Sequence, residues 1–275
     1  MSPPRWLGIH REFRAACGST NDVAQALARV GAPSGTVVYA AAQTAGRGRA
    51  GRAWASPDGA GLYVSMIVRL ALVPRDIPPI TLAVGIAACD VARALGAPCV
   101  LKWPNDLVVR RPDGMRKLGG ILTETTTEGG RLDAVVIGIG MNLGFGAAPP
   151  AELTGVATSI ADELGRAGQP AIAPDREAVL DRLCAELEPW LERYVAGGVP
   201  AIAPAWTERA DRAGRVRATI GGATVLGRPD GLDADGALRV IDDTGRVHRI
   251  LAGDVVEATP ELNLVPAPAS VTVSP

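Results

Sequence analysis

The order of apolar and polar positions divides the chain into recognisable elements. Thr36 to Ala42 is a near-continuous apolar run of strand length, and Leu62 to Leu70 is a second, rich in Val, Ile and Tyr. Ile80, Val84, Ala87, Val91 and Leu95 recur at helical spacing and stop at Gly96. An earlier helix is predicted from about Asn21, capped by Ser19 or Thr20, with Val23, Leu27 and Val30 on its inner face and Gly31 as its stop. Val100 to Trp103 and Asp106 to Arg110 read as short strands on either side of Pro104. Leu118 to Thr126 and Leu132 to Ile139 read as a hairpin turning at Glu128-Gly129-Gly130. Asp175 to Val195 predicts a long amphipathic helix with Leu180, Leu183, Leu187, Leu191 and Tyr194 inward and a kink at Pro189. Strands and helices mix without a regular βαβ alternation. That predicts an α+β fold, a mixed or antiparallel sheet with helices packed on it.

Beyond Arg215 the texture changes. Short apolar strands at Val216 to Ile220, Ala237 to Ile241 and His248 to Leu251 are separated by Gly-rich or Asp-rich turns as far as Glu257, the pattern of a small all-β barrel. The expected organisation is a main domain over residues 1–212, with 1–15 as a lead-in, then a small β domain over 213–262. The tail, 263–275, is mostly Pro, Ala, Ser and Val and is expected to be disordered.

Composition narrows the chemistry. With 28 basic and 29 acidic residues the net charge is −1, which weighs against a broad basic surface for nucleic acid. Cys17, Cys89, Cys99 and Cys184 show no CxxC spacing, and His10 and His248 lie far apart. Neither a zinc site nor a disulfide framework is supported, and a cytoplasmic location is expected. No run of 18 apolar residues and no signal-peptide pattern at Met1 to His10 is present, so no membrane partner is expected. Lysine occurs only at Lys102 and Lys117, against 26 arginines, and asparagine only at Asn21, Asn105, Asn142 and Asn263. A chain that uses arginine wherever a generic cation serves directs attention to these few residues; chance retention is the alternative.

Gly46-Arg47-Gly48-Arg49-Ala50-Gly51 satisfies G-x-G-x-x-G literally. A dinucleotide fingerprint must open a helix and meet an acidic residue about 20 positions on. Arg52-Ala53-Trp54-Ala55-Ser56-Pro57 follows instead, with Ser65-Met66-Ile67-Val68 further on, so the fingerprint fails. What remains is a flexible loop carrying Arg47, Arg49 and Arg52 with Trp54 behind it. Glycine permits close backbone approach, arginine forks hold phosphate or carboxylate, and tryptophan offers a face to a base. This suits an anionic nucleotide; a solvated Arg-Gly loop is the bland alternative.

Both lysines sit in a second block, Lys102-Trp103-Pro104-Asn105-Asp106 followed by Lys117-Leu118-Gly119-Gly120. The Trp-Pro step places Asn105 and Asp106 at a strand junction. Lys117 heads a strand whose glycines leave room for a ligand beside it. For Lys102 a structural salt bridge, with Asp106 as a partner, is the competing reading. Gly138-Ile139-Gly140-Met141-Asn142 ends another strand with small residues and an amide.

Together these segments resemble the biotin protein ligases of the biotin and lipoate protein ligase superfamily. Gly18-Ser19-Thr20-Asn21, the stretch Gln43 to Trp54, Lys102 to Leu107, Lys117 to Leu122 and Gly140 to Leu143 occur in the family's order, within a resemblance covering about residues 16 to 260. Ala50 and Met141 depart mildly from the family's usual residues. Only 17 residues precede Gly18, too few for the winged helix-turn-helix of members that double as repressors, so the enzyme-only type without specific DNA binding is expected.

The resemblance implies an SH3-like C-terminal domain and a two-step reaction on biotin and ATP with Mg²⁺. Biotinyl-5′-AMP forms first, and a lysine of a biotin carboxyl carrier domain of the acetyl-CoA carboxylase type then takes the acyl group. It implies that Ser19, Thr20, Asn21, Gln43, Gly48 and Gly120 bind biotin, with Arg47 and Arg49 closing over it. Lys117 touches carboxylate and α-phosphate, and Lys117, Arg47 and Arg49 are the catalytic set. Arg49, Arg52, Trp54, Lys117 and Asn142 hold the adenylate, while Lys102, Asn105 and Asp106 support the site, Asp106 also as a candidate Mg²⁺ ligand. A monomer or homodimer is expected. A lipoate ligase and a nucleic-acid-binding module are the competing functions.

Overall fold

The computed structural model of the protein describes residues 5–129, 131–220, 223–251, 253 and 255–258. The expected tail, Gly130 of the predicted turn and part of the predicted C-terminal domain lie outside these residues. The chain runs β1 (Arg11–Cys17), α1 (Thr20–Arg29), β2 (Val37–Gln43), β3 (Gly61–Val68), α2 (Ile80–Ala94), β4 (Cys99–Lys102), β5 (Asp106–Arg111), β6 (Gly114–Glu128), β7 (Arg131–Asn142), α3 (Ile160–Arg166) and α4 (Arg176–Arg209). Five short strands follow: β8 (Val216–Ile220), β9 (Ala223–Leu232), β10 (Leu238–Ile241), β11 (Val247–Ile250) and β12 (Val255–Glu257).

The first seven strands form one sheet in the order β1-β2-β3-β7-β6-β5-β4. Only the β1–β2 pair is parallel. Side chains alternate between the two faces of a strand, so a strand covered on both sides must be apolar throughout. That is why β2, β3 and β7 read as continuous apolar runs. Val37, Met66, Val68, Val135 and Ile137 join the main core with α2 and α4, whereas Val38, Ile67, Ala134 and Val136 join a smaller cluster under α1. An 18-residue window of the segment Pro74–Ala94 has a mean hydropathy of 1.4, enough by length and composition to cross a membrane, but 67% of that window is buried within this core. It is a core helix.

Three elements differ from expectation. The predicted lead-in contains β1, and Leu7 ahead of it is 2% exposed, its backbone N–H donating to buried Glu188 at 3.0 Å. The inner face of α1 is Thr20, Asn21, Ala24 and Ala28, while Val30 is 80% exposed. Small residues face in because α1 lies close on the sheet, with Val23 and Leu27 wedged at its flanks. The long helix continues to Arg209, and its departure from helical dihedrals falls at Gly198 (φ 60°), not at Pro189.

The second sheet is antiparallel, ordered β11-β10-β9-β8-β12. It is tied to the first body through the middle of the lysine block. Trp103 Nε1 donates to Gly236 O at 3.0 Å, and Arg110 of β5 reaches Asp211 at 2.5 Å and Glu257 at 2.6 Å.

Candidate active site

The cavity is made by glycine. Along β7, Ala134 and Val136 face α1; two and four residues on, the same face carries Gly138 and Gly140. A Cβ at Gly138 would lie 2.3 Å from Asn21 Oδ1, and one at Gly140 would lie 2.5 Å from Trp54 Nε1. Gly120 of β6, directly opposite Gly140, is bare as well. The helix ends and the glycines begin at one level of the sheet, leaving a cavity of about 200 Å³.

One end of the cavity is a closed hydrogen-bond network at the start of α1. Thr20 N and Thr20 Oγ1 both donate to Gln43 Oε1, at 2.8 and 3.1 Å, and Gln43 Nε2 donates to Ser56 Oγ at 2.8 Å. Ser65 Oγ lies 2.7 Å from Thr20 Oγ1 and 2.5 Å from Asn21 Oδ1, and Asn21 Nδ2 donates to Glu124 Oε2 at 2.6 Å. Ser19 is the N-cap residue of α1, and its side chain makes no capping bond. Arg47 closes this end. It grips Asp22 with two bonds of 2.6 and 2.7 Å and reaches Glu124 at 3.2 Å. The Asp22 hydrogen bonds and the Glu124 charge raise the Arg47 pKa further, and Arg47 in turn holds the Asp22 carboxyl below its usual range.

The other end is cationic. Lys117 of β6 projects beside the Gly120 gap, its Nζ 2.7 Å from Asp106 Oδ1 and 5.4 Å from the centre of the Trp54 ring. Arg49 Nη1 donates to Asn105 Oδ1 at 3.1 Å. The loop between Arg47 and Trp54 folds back on itself: Gly48 N donates to Arg52 O at 2.7 Å and Trp54 N to Gly46 O at 2.9 Å. Its base is tied to the entry of α1 by Thr44 N to Cys17 O and Ala45 N to Gly18 O. Trp54 Nε1 is buried and meets no acceptor among the described residues, so a ligand acceptor there would satisfy it.

Most of the expected residues therefore meet. Ser19, Thr20, Asn21 and Gln43 line one end, Arg47, Gly48, Arg49 and Arg52 form the lid, and Trp54, Asn105, Lys117 and Gly120 line the rest. Three stand outside the lining. Asn142 is 3% exposed and spends its amide on Thr158 O at 2.9 Å and Lys117 O at 3.4 Å, which fixes the backbone of the lysine. Asp106 is paired with Lys117 Nζ at 2.7 Å. Lys102 sits opposite Asp106 in the β4–β5 register, but that carboxylate turns to Lys117, so the competing reading of a Lys102–Asp106 bridge does not hold. Asp22, Ser56, Ser65 and Glu124 were not foreseen. The described residues hold no cluster of three metal-ligating side chains, and Asp106 Oδ1 is already met by an ammonium. These residues do not fit a protein-held Mg²⁺ site.

Two family patterns match the chain: the biotin/lipoate A/B protein ligase family over residues 16–142 and the biotin protein ligase C-terminal domain over residues 215–256. A biotin--[acetyl-CoA-carboxylase] ligase of Mycobacterium tuberculosis is 38% identical over 250 residues, covering 88% of this chain and 86% of that protein. A protein of the same name from Paracoccus denitrificans is 34% identical, covering 84% and 94%. Among solved structures, the Aquifex aeolicus biotin protein ligase in complex with biotin and ATP superposes with a TM-score of 0.72 at 24% identity, covering 91% of this chain and 99% of that one.

Proposed function

We infer that this chain, which belongs to the biotin/lipoate A/B protein ligase family, is a biotin–[biotin carboxyl carrier protein] ligase whose chemistry takes place in the glycine-made cavity. It joins biotin to a carrier lysine at the expense of ATP. A carboxylate oxygen of biotin attacks the α-phosphorus of ATP, forming biotinyl-5′-AMP and expelling pyrophosphate. The lysine amine of the carrier then attacks the acyl carbon, the C–O bond to AMP breaks, and an amide forms with loss of one proton from the amine.

The observation that carries this reading is the division of the cavity. A carboxylate and a phosphate repel each other, so the atoms that react must meet at fixed positive charge. Lys117 and Arg49 supply that charge at one end. The Thr20, Gln43 and Asn21 network, with the Ser19 hydroxyl beside it, supplies neutral donors and acceptors at the other, suited to a polar but uncharged ring system. Leu122, opposite Gly138 on the cavity face, and Leu153 give the apolar wall an aliphatic chain requires. We assign Trp54 to the nucleotide and Arg47 to closing the biotin end. Mg²⁺ enters with ATP as part of the nucleotide substrate. Closure of the arginine loop keeps water from the mixed anhydride. We place the reaction in the cytoplasm, with an acetyl-CoA carboxylase carrier domain as acceptor.

The test is incubation of the protein with ATP, Mg²⁺ and a purified carrier domain, with biotin in one arm and lipoate in the other. Mass spectrometry should show one amide-linked biotin on the carrier lysine and no lipoate. Lipoylation in place of biotinylation would reverse the assignment.

A further inference from the structure

We propose that Asn105 is the positioning residue for Arg49 in adenylation, a neutral dock that holds the guanidinium in place without consuming its charge. This rests on the ligase reading above and extends it to a neutral residue at the edge of the cavity.

The two cations at the reacting end are held by consecutive residues of one turn. Asp106 holds Lys117 at 2.7 Å and Asn105 holds Arg49 at 3.1 Å. The docks differ in charge. Arg47 is neutralised by Asp22 and Glu124, and Lys117 by Asp106. Arg49 makes no ion pair among the described residues. It thus offers a full positive charge where the carboxylate and α-phosphate must meet.

The orientation of the Asn105 amide is fixed by its second partner. Its Nδ2 donates to Ile121 O at 2.7 Å, and Ile121 N donates back to Asn105 O at 3.0 Å. Only the NH₂ end can face a carbonyl, so the oxygen must face Arg49. An aspartate here would set a carboxylate against the Ile121 carbonyl and neutralise Arg49. A serine could not span both partners. The amide therefore links the loop to β6 one residue beyond Gly120 and four beyond Lys117.

The loop itself needs such an anchor. Ala50, next to Arg49, sits at φ 54°, the left-handed region, where it is the only non-glycine residue among those described. An alanine is strained there, and the turn persists only where neighbouring contacts hold it. The Arg49–Asn105 bond ties this turn to the β4–β5 junction.

The experiment is a double-mutant cycle of Asn105→Ala and Arg49→Ala in the full chain, read by biotin-dependent exchange of labelled pyrophosphate into ATP at saturating substrates. Loss of a hydrogen bond to a charged group predicts a fall of about 10–100-fold for Asn105→Ala. If Asn105 acts through Arg49, the combined variant should fall no more than about two-fold below Arg49→Ala alone. Asn105→Asp, which removes the donor to Ile121 O and neutralises Arg49, should also lose exchange, and that loss should likewise vanish when Arg49 is alanine. Asn105→Ala should also release more AMP per biotin delivered to the carrier, because an unseated loop admits water. Losses that multiply in the combined variant would show that Asn105 supports β6 independently of Arg49 and overturn the proposal alone. Absence of biotin-dependent exchange in the wild type would remove the ligase reading and the proposal with it.

Discussion

The two faces of β7 use the same run of residues for opposite ends. Val135, Ile137, Ile139 and Met141 face α2 and α4 and are at most 3% exposed, a close-packed interior. The alternate residues, Ala134, Val136, Gly138 and Gly140, begin under α1 and end in an open cavity. One face gains stability from filled volume. The other gives up packing at two positions to make room, and a lysine from β6 and a tryptophan from the arginine loop stand beside the space. Stability and activity should therefore separate cleanly between neighbouring residues of one strand.

The largest stability effect is expected on the closed face. Ile137→Ala should destabilise the protein by about 2–5 kcal/mol in denaturant unfolding, with the KM for biotin unchanged below the transition. One residue along, Gly138→Ala adds a methyl within 2.3 Å of Asn21 Oδ1, which is held by Ser65 and Glu124 and cannot simply swing away. That overpacking should cost about 1–3 kcal/mol and, unlike the first change, weaken biotin binding measured by calorimetry. A smaller effect is expected for Glu124→Gln, about ten-fold or less on the biotin KM, because Arg47 keeps both bonds to Asp22 and the new amide oxygen still accepts from Asn21. The mildest change is one of protection alone. Amide exchange over residues 44–53 should slow when biotin and ATP are added together, with no comparable slowing in β7; equal protection with and without ligands would mean that the loop does not close on them.

Much of this contrast was legible in the sequence. Continuous apolar runs identified the covered strands, and Gly138, Gly140 and the Gly119-Gly120 pair marked where side chains had been given up. The scarcity of lysine singled out Lys117. β1 was hidden because, as an edge strand, it exposes Arg11, Phe13 and Arg14 and carries no apolar run. α3 has a capping box in Ser159 and Asp162, visible as a Ser-x-x-Asp spacing, but at seven residues it offers little periodicity. Glu124 and Asp22 escaped because their role exists only across the fold: Glu124 meets Asn21 and Arg47, which lie 103 and 77 positions away. Nothing local to a threonine-rich strand end marks a carboxylate as part of a network.

In the ligase reading, Lys117 on the open face is where carboxylate and phosphate are brought together. A lysine ammonium is a compact point charge that fits between two anionic oxygens, whereas a guanidinium is a broad planar fork. In a chain with 26 arginines and two lysines, Lys117→Arg tests that difference most directly. Biotin-dependent pyrophosphate exchange at saturating biotin and MgATP isolates the first step, with Lys102→Arg as the comparison outside the cavity. Exchange should fall by about 10²–10³ for Lys117→Arg, much less for Lys102→Arg, with the same melting temperature for both. Retention of more than about a third of wild-type exchange by Lys117→Arg, far short of the loss expected for a removed charge donor, would contradict this role for Lys117.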